Sequence, residues 1–186
     1  MRSVLVAMVV IGASSSVAHA DGRSPILSVG GMFGGVGDLD GRPEPTWGTR
    51  LSLGWENPLP ELPTQPGYNV RGALVPELFI GGLVLPDAQR ADGYFGVGVR
   101  AELQFAQREM GLLRVSARGA GYVAARGLVI GDERTGLFEF ALGEYFARHR
   151  NATRIGYEVN VLVNRSSASE DRTVGLLTQI YVGGAL

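Results

Sequence analysis

Residues 93–126 alternate in polarity with a period of two. In the first arm Phe95, Val97, Val99, Ala101, Leu103 and Phe105 are apolar, while Gly96, Gly98, Arg100, Glu102 and Gln104 between them are not. After Arg108-Glu109-Met110-Gly111 the pattern returns. Leu113, Val115, Ala117 and Val123 share one face with Gly119 and Gly121; Arg114, Ser116, Arg118 and Tyr122 share the other. Successive side chains of a strand point to opposite sides, so this period specifies strands with one apolar and one polar face. Arms of about 10–11 residues also match the length a tilted strand needs to cross a bilayer.

The leader sets the compartment. One arginine (Arg2) precedes an apolar run from Val4 to Gly12, and small residues end in Val17-Ala18-His19-Ala20. This order of charge, short apolar run and A-x-A site reads as a cleavable signal peptide, because a spanning helix needs about 20 apolar residues. Residues 1–20 are therefore expected to be removed. The remainder, 21–186, holds 166 residues (186 minus 20) and suits one domain. There is no cysteine, so an exported fold must be held by hydrogen bonds and packing alone. The net charge of −1 gives no reason to expect a nucleic-acid partner. All 17 basic residues are arginine, whose rigid fork suits polar clusters with little water.

The same alternation recurs in segments 25–34, 47–56, 69–82, 135–148, 153–164 and 173–186, giving eight strands with the two arms of the hairpin. The connections 35–46, 83–92, 127–134 and 165–172 read as longer. Those at 108–111 and 149–152 read as tight, and the proline-rich 57–68 stands apart as a stiff excursion. Alternating long and short connections are a property of outer-membrane meanders. The expected fold is all-β: an eight-stranded antiparallel up-and-down transmembrane barrel, closed because lipid tolerates no unpaired strand edge. On this architecture the whole mature chain resembles the small eight-stranded outer-membrane barrels around the OmpA transmembrane domain and OmpX. The resemblance implies an outer-membrane location and insertion by the outer-membrane assembly machinery. The final strand alternates, but the chain ends in Leu186 where such barrels usually carry an aromatic residue.

Alternation alone does not say which face points outward. A lipocalin-like periplasmic binder would turn its apolar face in. Aromatic residues at both ends of the apolar stripe, such as Phe95 and Phe105, favour the outward choice. On that choice Phe95, Val97, Val99, Leu103, Phe105, Phe138, Phe140, Tyr157, Val159 and Val161 face lipid. Arg50, Arg71, Glu77, Arg100, Glu102, Arg114, Arg118, Glu139, Arg154, Glu158, Asn160 and Gln179 then share a lumen only wide enough for side chains. Charges so enclosed must pair. A tight 108–111 turn would bring Glu102 within direct or diagonal reach of Arg114 and Arg118.

No catalytic constellation is legible. The mature chain has a single histidine, His149, with no serine and acid spaced to form a triad. Clustered metal ligands are lacking. Asp38-x-Asp40-Gly41 lacks the further acids of a calcium loop, and Gly93-x-x-Gly96-x-Gly98 lies inside a strand, with no helix after it to hold a phosphate. The expectation is a monomeric, non-enzymatic barrel with a plugged lumen, needing no cofactor. Its contacts would be outer-membrane lipid and an extracellular or periplasmic partner reached through the longer loops. A narrow pore, a lipid A-modifying enzyme and the lipocalin-like binder are the competing readings.

Overall fold

A computed structural model of the chain describes residues 24–38, 42–60, 69–85, 89–106, 118–131, 135–147, 153–164 and 173–185. Eight strands follow one another: β1 Ser24–Asp38, β2 Glu44–Pro58, β3 Asn69–Leu85, β4 Arg90–Ala106, β5 Arg118–Ile130, β6 Thr135–Ala147, β7 Arg154–Asn164 and β8 Thr173–Ala185. Each pairs antiparallel with the next, and β8 returns to β1, so the sheet closes as a barrel in meander order. No helix among the described residues is long and apolar enough to cross a membrane.

The pairings fix the tilt. The circuit Leu27–Leu53–Leu78–Val97–Gly127–Phe138–Val163–Val174 returns to β1 at Gly37. Closure is therefore staggered by ten residues (37 − 27). Ten residues of about 3.3 Å against eight spacings of about 4.8 Å tilt the strands by roughly 40°. Each residue then climbs about 2.5 Å along the axis, and an apolar band about 25 Å tall needs about ten residues per strand. The shortest strand, β7, has 11.

Burial settles which face is which. Leu142, Phe95, Leu176, Val97 and Ile155 are exposed by 58–66% on the outer wall. Arg50, Glu77, Glu102, Glu139 and Glu158 are buried inside it. The lipocalin-like alternative is overturned, since its apolar side chains would be enclosed. The outer wall has aromatic residues near both strand ends. Phe33, Trp47, Phe95 and Phe138 lie toward the β1–β2 connection, and Trp55 and Phe146 toward the chain termini.

The connections differ from expectation. The strands extend through most of 35–46, 83–92 and 127–134, leaving 39–43, 86–89 and 131–134. At the end that carries Ser24 and Ala185 the described strands are separated by 59–68, 107–117 and 148–153. The connections 39–43, 86–89 and 131–134 are therefore shorter than expected and 165–172 keeps its expected bounds, while the turns expected at 108–111 and 149–152 lie outside the described residues. Glycine and small residues in 35–46 and 83–92 read as turn signals, but pairing with at least one neighbouring strand keeps most of them extended. Pro76 leaves its mark inside β3. The β2–β3 ladder passes from Gly54↔Glu77 to Asn57↔Leu74, and the pairs between are missing, as a residue without an N–H requires.

Candidate functional site

The lumen is filled by two layers. Toward the β1–β2 connection, Met32, Phe79, Leu83, Tyr94, Leu128, Leu137, Leu162 and Leu177 form one apolar cluster. Inward positions come from every second residue, so each strand except β2 offers one or two side chains to this layer. Space for the rings comes from glycines directly opposite them. Phe79 lies across from Gly96, Tyr94 from Gly81, Tyr122 from Gly143 and Tyr181 from Gly156. A Cβ added at Gly143 would sit 2.5 Å from the Tyr122 hydroxyl.

Below the apolar layer lies the charge network. Arg126 donates from Nε to Glu77 at 2.9 Å, from Nη1 to Glu139 at 2.6 Å and Glu158 at 2.8 Å, and from Nη2 to Glu158 at 3.0 Å. Arg50 forks onto Glu139, with one arm at 2.8 Å, and its Nε donates to the Tyr94 hydroxyl at 3.2 Å. Tyr122 donates to Glu158 at 3.0 Å, and Asn160 accepts from Arg126 at 3.2 Å. Nearer the termini Arg100 joins Glu77 at 3.1 Å and Glu102 at 2.8 Å, while the Tyr145 hydroxyl donates to Glu102 at 2.9 Å. Arg154 donates to Glu56 at 2.8 Å, and Gln104 to both Glu56 and Glu102. The guanidinium groups also lie over rings: Arg50 over Phe79, Arg100 over Tyr122 and Arg154 over Tyr145, at 4.7–4.9 Å. Such stacking satisfies the flat faces that hydrogen bonds leave bare.

Nine of the twelve expected luminal residues, Arg50, Glu77, Arg100, Glu102, Glu139, Arg154, Glu158, Asn160 and Gln179, are buried inside the barrel. Arg71 is half-buried at the terminal end of β3, and its Nε has no hydrogen-bond partner among the described residues. Arg118 opens β5, where its backbone pairs with Ala106 and Ala147. Arg114 lies outside the described residues, as does His149. Of the ten expected lipid-facing residues, Phe95, Val97, Val99, Leu103, Phe138, Phe140, Tyr157, Val159 and Val161 are exposed on the outer wall; Phe105 pairs with Val70 and Gly119 through its backbone.

The expected pairing of Glu102 with Arg114 and Arg118 is corrected. Ala106 pairs with Arg118, which sets Glu102 opposite Tyr122. Directly opposed residues of antiparallel strands share a face, so an inward Glu102 needs an inward partner. A 108–111 turn would instead have placed it opposite Ala117, on the apolar face. Two charged members, Arg126 and Glu56, and the uncharged Tyr94, Gln104, Tyr122 and Tyr145 lie outside the expected luminal set. Arg126 stands in register with Tyr122 and Ala124 on the polar face of β5, and the period of two that marks Tyr122 marks it as well.

No family model matches the sequence, and no curated protein matches it. Among solved structures the chain is similar to the outer-membrane enzyme PagL, with a TM-score of 0.59 at 12% identity, covering 86% of this chain and 99% of that one. It is also similar to Ail, the attachment invasion locus protein of Yersinia pestis, with a TM-score of 0.40 at 14% identity over 89% of this chain and 98% of that one. The PagL likeness is one of fold. The chain has the architecture of the small eight-stranded outer-membrane β-barrels.

Proposed function

We propose that this chain is a monomeric, non-conducting and non-enzymatic outer-membrane barrel, a rigid scaffold whose connections carry any recognition of a partner. The observation that supports a closed lumen is its filling. Four arginines and five glutamates are locked in mutual ion pairs across six strands. An apolar layer caps them. Charges committed to one another in this way offer no chain of free sites along which an ion could step, and the one hydroxyl of the cap cluster, on Tyr94, is already engaged by Arg50, Met32 and the Thr49 carbonyl. A scaffold of this rigidity suits function placed on the connections. The non-enzymatic reading is supported by the commitment of the luminal carboxylates to arginine and tyrosine partners. None of these side chains is left as a free nucleophile beside a base.

Planar-bilayer recording on the refolded protein tests the closed lumen. The membrane should conduct no more than lipid alone, and reproducible single-channel steps would overturn the reading. Incubation with lipopolysaccharide and phospholipid vesicles, followed by mass spectrometry, tests the absence of chemistry. Lipid cleavage that disappears in His149→Ala would replace this reading with the enzymatic one. Fractionation with heat-modifiable gel mobility tests the location, and a soluble protein with no mobility shift would sink it.

A further inference from the structure

The outer wall carries one anomaly. Of the outward positions on the eight described strands, only Glu144 is charged. It lies on β6, two residues from Phe146 at the terminal end, directly opposite Tyr157 of β7, whose hydroxyl donates to it. A carboxylate accepts at about four lone-pair positions, and among the described residues one phenol serves one of them. At the border between hydrocarbon and headgroups the rest are open to a donor from the lipid. Beside this pair the wall is hollow. A groove of about 660 Å³ runs past Glu144 and Tyr157, floored by Ala101 and Gly121 and walled by Leu103 and Val123. That volume falls within the range of about 300–1,000 Å³ typical of small-molecule sites. A Cβ at Gly121 would meet nothing within 4 Å, and Leu59 and Pro60, just past β2, border the groove at the end away from Tyr157.

We propose that this groove seats one acyl chain of an ethanolamine glycerophospholipid from the surrounding bilayer, with the lipid's ammonium donating to Glu144. Three facts converge on that occupant. The groove opens on a wall whose other outward side chains are uncharged and mostly apolar, so the neighbouring medium is acyl chain. Glu144 sits about three residues from the end of β6, roughly 8 Å along the axis, where headgroups reach. An ammonium brings a positive charge and three donors to the acceptors that Tyr157 leaves open. The site therefore reads the headgroup by charge and the tail by shape.

The test uses the intact barrel reconstituted in vesicles of equal parts phosphatidylethanolamine, phosphatidylglycerol and phosphatidylcholine. Lipid retained after detergent extraction is read by native mass spectrometry. The wild type should keep one phosphatidylethanolamine with about tenfold preference. Glu144→Gln should retain lipid without headgroup preference, and Gly121→Leu should retain none, each with unchanged heat-modifiable mobility. Should a variant fail to fold, the wild type alone decides the matter against lipids whose amine is methylated stepwise. Retention should fall as N–H donors are lost. No retained lipid, retention in the bulk ratio, a flat methylation series, or variants that behave as wild type would overturn the proposal. A protein or a segment of the chain itself in the groove would give the first of these results. Conductance of the lumen has no bearing on the outcome, so the two readings fail independently.

Discussion

Arg126 joins carboxylates from three other strands, Glu77 on β3, Glu139 on β6 and Glu158 on β7. Removing it leaves those charges facing one another with Arg50 and Arg100 alone to offset them. Breaking a buried pair from one side costs about 3–5 kcal/mol. Arg126→Ala should therefore lower the unfolding free energy of the refolded barrel, read by urea titration, by that much, and a loss below about 1 kcal/mol would argue against a dry network. Glu102→Ala should cost less, because Arg100 keeps Glu77 and the Tyr145 hydroxyl can turn to another acceptor. The ranking of the two variants is thus a test independent of their absolute size. The packing of rings over glycines makes a second prediction. A methyl at Gly156 would overlap the Tyr181 ring, so Gly156→Ala should destabilise by about 1–3 kcal/mol, the usual cost of overpacking. Alanine at outward Gly136, which meets open space, should be close to neutral. Arg126 was legible in principle, being four residues past Tyr122 on the same face. The identities of its partners were not, since they sit 13 to 49 residues away in the chain.

Strand existence was readable from alternation, and strand ends were not. β1, β3, β4 and β5 run past the expected boundaries because ladder bonds to neighbouring strands hold residues that turn propensity alone would release. Parity was a signal available and unused. With inward residues even on β4 and even on β5, only an even sum of partner numbers keeps both on the polar face, and 102 with 122 satisfies this. The outer wall yields a prediction at this scale. Val97, mid-strand and 58% exposed, faces the centre of the apolar band. Val97→Arg should cost about 2–4 kcal/mol, while Trp55→Arg near the strand end should cost no more than about 1 for its charge. Equal penalties at the two depths, measured by urea titration in vesicles, would mean that the wall does not span hydrocarbon.

For the whole molecule, the ten-residue stagger with eight strands requires a tilt of roughly 40° from the axis. Polarised infrared spectroscopy on oriented bilayers should return that angle. A value near 20° would contradict the register. The sequence by itself determined that the chain forms two-faced strands, how many there are, and which residues share a face, because each of these depends only on a period of two along one strand. The direction of the apolar face was inferred from its aromatic ends, and burial in the closed barrel settles it. Only the tertiary structure decided the stagger, the loop lengths and the partners of each charge. Those depend on how eight strands close at once: a single circuit condition fixes every register together, and no strand carries that condition in its own residues. The same closure places Glu144 alone among apolar neighbours, a position that the alternation on β6 records as outward but cannot mark as exceptional.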